Sequence, residues 1–372
     1  MKTDCETTHA AVDRELTEGL REDWDALAER VGTVFSSRPS YAANAPRPAG
    51  SELVFVHIRR GLRVVALAPM FVTRLGPLKV AKILGAGQGV PTELLSEDDA
   101  SSRALWDAID DCGLIFYADS MIDNRIAVEA LGAHPRWRSE SIVRERVPVI
   151  DMPAGSTARD VRGHSSLKRL GKYRRQAERA GSPLTMETVR DAEHFERRWQ
   201  DISRLAAEST DKTDRTDYLA EESPADHSTS AKDFLAREAA AGRLALSGVS
   251  VEGQWRAHQI CLRTGARLEA WLTHYDPKVA KYQPGHQMME WFVQTHDELD
   301  VTVLDLGVGV NDIKQSWSTS GYDVLAVVAV PTRMVGARFL VGLLRRWELS
   351  PRFAHARKVG YAMLSRLRPS TN

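Results

Sequence analysis

The chain has 372 residues, 43% of them hydrophobic and 27% charged, a size that suits two domains and a composition that excludes a disordered or fibrous chain. Its 50 Lys and Arg balance 50 Asp and Glu, so any attraction for nucleic acid, membrane or an anionic ligand must be local. Three scattered cysteines, Cys5, Cys112 and Cys261, form no CxxC pair, which argues against structural zinc and a disulfide framework and leaves no metal expected.

Residues 1–22 are polar, read as a flexible N-terminus, and contain no apolar h-region. No apolar run reaches the roughly 18–20 residues of a membrane span. Reduced thiols and a cytoplasmic location are therefore expected. The spacing of Trp24, Leu27, Val31 and Phe35 predicts a helix over 22–35, with Asp23 as its cap. Three prolines make 38–51 a loop. Two β-rich runs around Arg60-Gly61 predict a hairpin over 53–72. Residues 85–91 (GAGQGVP) form a loop. A phosphate cradle there would need GxGxxG order and a following amphipathic helix, and both are missing. Residues 101–111 read as a helix and 113–118 as a buried strand. Asp119-Ser120 then sits at the strand's C-terminal end, where α/β ligand sites lie. Residues 147–152 (VPVIDM) read as an extended connector.

Residues 159–179 are the most basic stretch. Lys168, Lys172, Arg175 and Arg179 fall on one helical stripe, opposite Leu170 and Ala177, with Leu167 on the flank. The stripe is either a solvated face or a basic wall along a cleft that holds an anionic substrate or cofactor. A further amphipathic helix is predicted at 191–207. The polar stretch 208–232 reads as a lid or an insertion, and a helix at 234–241 follows. A second hairpin, 244–251 and 256–262 about Glu252-Gly253, leads to a strand at 268–275. The order of helix, loop, hairpin, helix and buried strand thus recurs at an offset of about 190 residues, as a tandem duplication would produce. Residues 324–330 give a last strand. Residues 333–368 carry nine Lys or Arg against Glu348 alone, interleaved with Phe339, Leu340, Leu343 and Leu344. That pattern suits a helix packed on its own domain or one resting on an anionic membrane surface.

Polar residues gather at element ends between Tyr275 and Gly321. The first half repeats the layout without them, so it is expected to act mainly as scaffold and cleft wall. Strand alternation puts Glu269 on one face with Trp271, Thr273 and Tyr275. Asp305 shares a face with Val301 and Val303 and needs a partner if buried. Lys314, just past a Gly-x-Gly turn, is the expected one. Gln283, Gly285, His286 and Gln287 open a helix whose buried stripe is Met288, Phe292 and Leu299.

Taken in order, the 244–246 strand, the Gly253 turn, Ala257-His258, Tyr275-Asp276-Pro277, Gln283-Pro284-Gly285, Asp305-Leu306-Gly307 and Lys314 resemble the GNAT-type acyltransferases of the CelD/BioF-like class, which are relatives of the FemAB transferases. The resemblance spans about residues 23–330. It implies an α/β (α+β) fold of two tandem GNAT-like domains facing a shared cleft, each a mostly antiparallel mixed sheet flanked by helices. The expected domains are 23–152 and 153–330, followed by a basic helical extension at 331–372. The implied reaction is transfer of an acyl group from acetyl-CoA or another acyl-CoA to an amine on a small-molecule, polysaccharide or peptide-precursor acceptor. The chain departs from the family's Q/R-x-x-G-x-G/A loop and has Gln283 where the divergent class has Ser before Pro-Gly.

Acyl transfer needs a phosphate site, a proton acceptor and an aimed amine. A loop entering a helix offers free N–H groups to phosphate, which assigns Gln283, Gly285, His286 and Gln287 to the cofactor. Glu269 and His258 are candidate bases, read otherwise as a strand-edge acid and a satisfied core histidine. Asp305 and Lys314 either fix their turn or border the site. Tyr275, Asp276, Lys168, Lys172 and Arg175 are candidate substrate contacts, with Asp276 read otherwise as a turn residue. Two alternatives stay open: a FemAB-like transferase drawing on aminoacyl-tRNA, and a non-catalytic module of polysaccharide or envelope assembly.

Overall fold

The computed structural model describes residues 8–86, 89–123, 125–210, 218–219, 231–309 and 311–349. Most of the polar stretch 208–232, read from sequence as a lid or an insertion, therefore lies outside the described residues, as do part of the 85–91 loop and the basic stretch beyond 349; the two ends of 208–232 belong to helices.

The first half begins with strand β1 (Thr8–Asp13) and helix α1 (Glu18–Val31). Thr17, not Asp23, caps α1, its hydroxyl accepting from the Leu20 N–H at 3.2 Å. Asp23 instead pairs with Arg59 at 2.5 Å. After α2 (Pro39–Ala42), β2 (Glu52–Arg60) and β3 (Arg63–Leu75) form the predicted hairpin about Gly61, which sits at φ 62°. Then come β4 (Leu78–Ile83), β5 (Leu95–Ser96), α3 (Asp99–Asp111), β6 (Ile115–Ile122), α4 (Arg125–Gly132) and β7 (Trp137–Asp151). The predicted connector at 147–152 is the end of the 15-residue β7. Its N-terminal two-thirds alternates polar residues and shows little apolar signal, because much of it is exposed.

The basic stretch is broken in two. Arg162 and Gly163 separate α5 (Ala158–Val161) from α6 (His164–Arg179), so Arg162 lies outside both helices. Leu170 and Ala177 form the buried side of α6, as predicted. Then follow β8 (Leu184–Val189), α7 (Ala192–Thr210), α8 (Ala231–Ala240), β9 (Leu244–Val251), β10 (Gln254–Thr264), β11 (Arg267–Tyr275), α9 (Pro284–Thr295), β12 (Val303–Asp305), α10 (Asp312–Trp317), β13 (Ser320–Pro331) and α11 (Ala337–Leu349).

One mostly antiparallel sheet runs through the molecule in the order β1-β2-β3-β4-β6-β13-β7-β12-β11-β10-β9-β8, with β5 beside β3. The duplication is visible in its two parallel pairs. In the first half β4 and β6 run parallel over Val80↔Ile115 and Ala81↔Phe116 and bracket α3; in the second, β11 and β12 run parallel and bracket α9. The last strand is displaced. β13 does not join the sheet of the second half but lies between β6 and β7 of the first, pairing with both. Leu325, Val327 and Ala329 of β13 complete the first-half core with Trp106, Phe116 and Trp137.

Candidate functional site

The two faces of β11 look into different surroundings. Leu268 and Ala270 face α6 and α9, in a core with Leu170, Phe292, Leu304 and Leu306. Glu269 and Trp271 face the opposite way, toward Phe35, Tyr41 and Phe234. Trp271 is the extra residue of a bulge, since Ile260 pairs with Leu272 and Cys261 with Ala270. β12 accompanies β11 for three residues only, from Arg267↔Val303 to Glu269↔Asp305. Gly307, at φ 71°, then comes so close that a Cβ would stand 2.7 Å from the Ala270 carbonyl oxygen. Beyond that contact β11 remains paired with β10 as far as Tyr275, while the other chain turns through Gly309 into α10. The pairing of β11 with β12 therefore ends at this point.

Asp305 is fully buried and accepts three hydrogen bonds: from Arg267 Nη1 at 2.9 Å, the Tyr322 hydroxyl at 2.8 Å and the Gly307 N–H at 2.8 Å. A buried carboxylate is tolerable only with partners of this kind. Lys314, the expected partner, instead donates to the carbonyls of Gly307 and Val308 at 3.0 and 2.7 Å and so clamps the turn. Burial holds its ammonium below the usual lysine range. Tyr322 is pushed well above the usual phenol range by burial and by the nearby Asp305, so it stays a proton donor.

Glu269 is 2% exposed, and its Oε2 accepts from the Phe35 N–H at 3.2 Å. Burial, reinforced by Asp305, pushes its carboxyl well above the ordinary range, against the opposing pull of the Phe35 N–H and Arg267. The segment that supplies this N–H is held by a second buried acid that sequence reasoning missed. Glu93 accepts from Thr33 N at 2.6 Å, Thr33 Oγ1 at 3.0 Å and Val34 N at 3.2 Å. Burial raises its pKa despite these donors. The first half thus does more than wall the cleft. A lone acid inside the apolar run Pro91-Thr92-Glu93-Leu94-Leu95 was the available signal.

On the α6/α9 side, Gln283 adopts the left-handed conformation (φ 58°) and starts α9 with no side-chain cap. The first N–H groups of a helix lack intrahelical partners. They border a cavity of about 240 Å³ lined by Arg162, Ser166, Arg169, Tyr173, Gln283 and His286. Arg162 lies 4.8 Å over the Trp317 ring and donates to Ser316, yet its buried Nε has no hydrogen-bond partner. His286 accepts from Trp317 Nε1 at 2.9 Å. Burial, together with Arg162 and Arg169, lowers its pKa to about 4. A helix N-terminus, two guanidiniums and an orphan donor suit a phosphate group.

Of the other expected cofactor residues, Gly285 lets α10 approach: a Cβ there would lie 3.1 Å from Ile313 Cδ1. Gln287 does not reach the cavity. It is buried, accepts from Arg174 and donates to the Leu170 and Tyr282 carbonyls, joining α6 to α9. Lys168, Lys172 and Arg175 are exposed. Lys168 and Arg175 border a wider cavity of about 840 Å³ on the other flank of α6, with Thr157, Arg159, His164 and Glu290. Lys172 borders neither cavity.

His258 is not brought to Glu269. On β10 it pairs with His274, whereas Glu269 pairs with Leu262 near the strand's other end. Its Nδ1 accepts from Trp255 Nε1 at 3.1 Å, and its Nε2 lies 2.9 Å from His274 Nδ1. Burial and His274 hold it neutral, as befits a satisfied core histidine. Asp276 is buried, pairs with Arg256 at 2.8 Å and caps the 3-10 turn Pro277–Tyr282 through the Lys278 N–H. Tyr275 is exposed at the end of β11.

Residues 164–315 match the model of an acetyltransferase (GNAT) domain. No curated protein sequence matches the chain. Among solved structures, the protein is similar to FemX at 10% identity, with a TM-score of 0.54 over 90% of this chain and 99% of that one. It is similar to the C-terminal DUF2156 domain of a lysylphosphatidylglycerol synthetase-like protein from Agrobacterium fabrum, at 10% identity and a TM-score of 0.53, over 88% of this chain and 96% of that one. A conserved Bacteroides thetaiotaomicron protein of unknown function aligns at 11% identity with a TM-score of 0.52, over 87% of this chain and all of its own. At these identities the likeness is one of fold.

Proposed function

From a chain that carries a GNAT-type acetyltransferase domain and shares its overall fold with FemX, we propose an acyl-CoA-dependent N-acyltransferase. The observation that carries this reading is the opening between β11 and β12. In this reading it lies between an anion cavity on the α6/α9 side of the sheet and a buried carboxyl on the other face. In this reading the donor's diphosphate lies at the start of α9 against Arg162, Arg169 and the Gly285–His286 backbone, and its thioester arm reaches through the opening. The amine approaches from the Glu269 face. Its nitrogen attacks the thioester carbonyl, the C–N bond forms, the C–S bond breaks and Glu269 takes the proton as the thiolate leaves. A raised pKa makes the ionised carboxylate a better acceptor. Asp305, Arg267, Tyr322 and Lys314 hold the turn that keeps the opening in shape. Donor supply points to a cytoplasmic reaction, with acetyl-CoA the simplest donor.

A second reading, transfer from aminoacyl-tRNA, draws on the exposed Lys168, Lys172 and Arg175 of α6, of which Lys168 and Arg175 border the wider cavity. Thermal shift separates the two. A ligand that binds only the folded state stabilises it, by about 2.7 kcal/mol at a hundredfold excess over Kd. Coenzyme A and acetyl-CoA should raise the melting temperature of the wild type by a few degrees and leave an Arg162→Ala, Arg169→Ala double variant unmoved. No shift at millimolar concentration of either overturns the proposal. A shift with bulk tRNA that collapses with salt supports the second reading instead.

A further inference from the structure

Among the described residues, helix α11 packs one face on the protein and exposes the other. Ala337 and Val341 pack with Val328 and Val330 of β13 and with Ile115 and Tyr117 of β6. On the outward side Phe339 is 72% exposed and Leu343 52%, four residues apart and so on one stripe. Val335, in the turn before the helix, is 101% exposed. Large apolar side chains left in water at this density mark a contact surface. Arg338 lies beside the stripe and Arg346 continues it one turn on, and both are exposed.

The charge is as uneven as the hydrophobicity. The whole chain is neutral, yet residues 338–349 hold Arg338, Arg345 and Arg346 against Glu348, and the sequence after them adds five more bases and no acid; Arg333, before the helix, is paired with Asp110 at 3.1 Å. No helix among the described residues is long and apolar enough to cross a membrane. An apolar stripe edged by arginines on a 13-residue helix has the chemistry of an interfacial element, with rings in the headgroup boundary and guanidiniums on lipid phosphates. A second copy of the chain fits poorly, because a two-fold contact would set the arginines against one another. We propose that the outer face of α11 docks the protein on an anionic lipid surface, independently of the reaction assigned above.

Flotation with vesicles tests this on the full chain, using phosphatidylcholine alone and phosphatidylcholine with one-quarter phosphatidylglycerol. The wild type should float with the anionic vesicles, not with the neutral ones, and less as salt rises. Phe339→Glu with Leu343→Glu should abolish flotation. Arg338→Ala with Arg346→Ala should weaken partition about thirtyfold, at the usual contribution of an arginine near such a surface. Both variants should keep the wild-type melting temperature. Absence of flotation, equal flotation with both vesicles, or no effect of Phe339→Glu with Leu343→Glu overturns the proposal. So does a dimer in light scattering that this variant dissolves, or a lowered melting temperature, since either would show the face already covered by protein.

Discussion

Glu269 concentrates the chemistry of the molecule in one side chain. Its carboxyl keeps its proton above about pH 4.3, where an unfolded glutamate releases it. The folded state therefore binds this proton more tightly. The resulting stability is fully present below that pH and is lost as the pH rises through the folded value. Glu269→Gln keeps the shape but cannot ionise. Its melting temperature is expected to gain on the wild type by a few degrees between pH 4 and pH 8, in a fluorimetry series, while acyl transfer in a thiol-release assay falls about 10²–10⁴-fold. A gap that closes with rising pH would mean the fold favours the carboxylate, and a variant with full turnover would remove Glu269 as the base. The residue itself was legible, since alternation set it beside Trp271. Its setting was not. The Phe35 N–H lies 234 positions away, and hydrogen bonding follows folded distance alone. The same limit misassigned Asp305, whose neighbour in sequence, Lys314, clamps backbone carbonyls while Arg267 and Tyr322 take the carboxylate.

At the scale of elements, two glycines of one turn differ in a measurable way. Gly307 combines a positive φ with a contact that leaves no room for a Cβ, while Gly309, at φ 83°, has nothing within 4 Å. Gly309→Ala should therefore cost only backbone strain, about 1 kcal/mol, and Gly307→Ala more than twice that, because β12 must be driven off β11. The difference should appear in urea midpoints. It should also appear as a lower CoA-induced thermal shift for Gly307→Ala, which alters the opening; equal midpoints for the two would contradict the close approach. The hairpins at Gly61 and Glu252-Gly253 were readable because turn glycines and flanking β-branched runs are local signals. Helix α6 was readable on its stripe, but the cations of the small cavity, Arg162 and Arg169, lie off it. Strand β7 was half hidden because its polar stretch is stabilised by pairing with β13 rather than by burial of its own side chains.

At the scale of the whole molecule, the placement of β13 ties the halves together. Leu325, Val327 and Ala329 fill the core around Trp106 and Trp137, so a chain ended at residue 319 should lose the near-ultraviolet dichroism of those tryptophans although every other strand of the first half is present. A native signal from that truncated chain would show that the first half closes on its own. Sequence order hid this arrangement: a strand that follows the second unit reads as part of it, and only long-range pairing assigns it elsewhere. The arrangement also sets a clock. On the ribosome, β7 is complete at residue 151, but the strand that must lie between it and β6 ends at residue 331. At ordinary rates of synthesis the gap between β6 and β7 stays open for roughly 10–40 s, and for most of that time β7 also lacks β12 on its other edge. During that interval the half-made protein is a template for foreign strands, and its yield in the cell depends on what shields that gap until the last strand arrives.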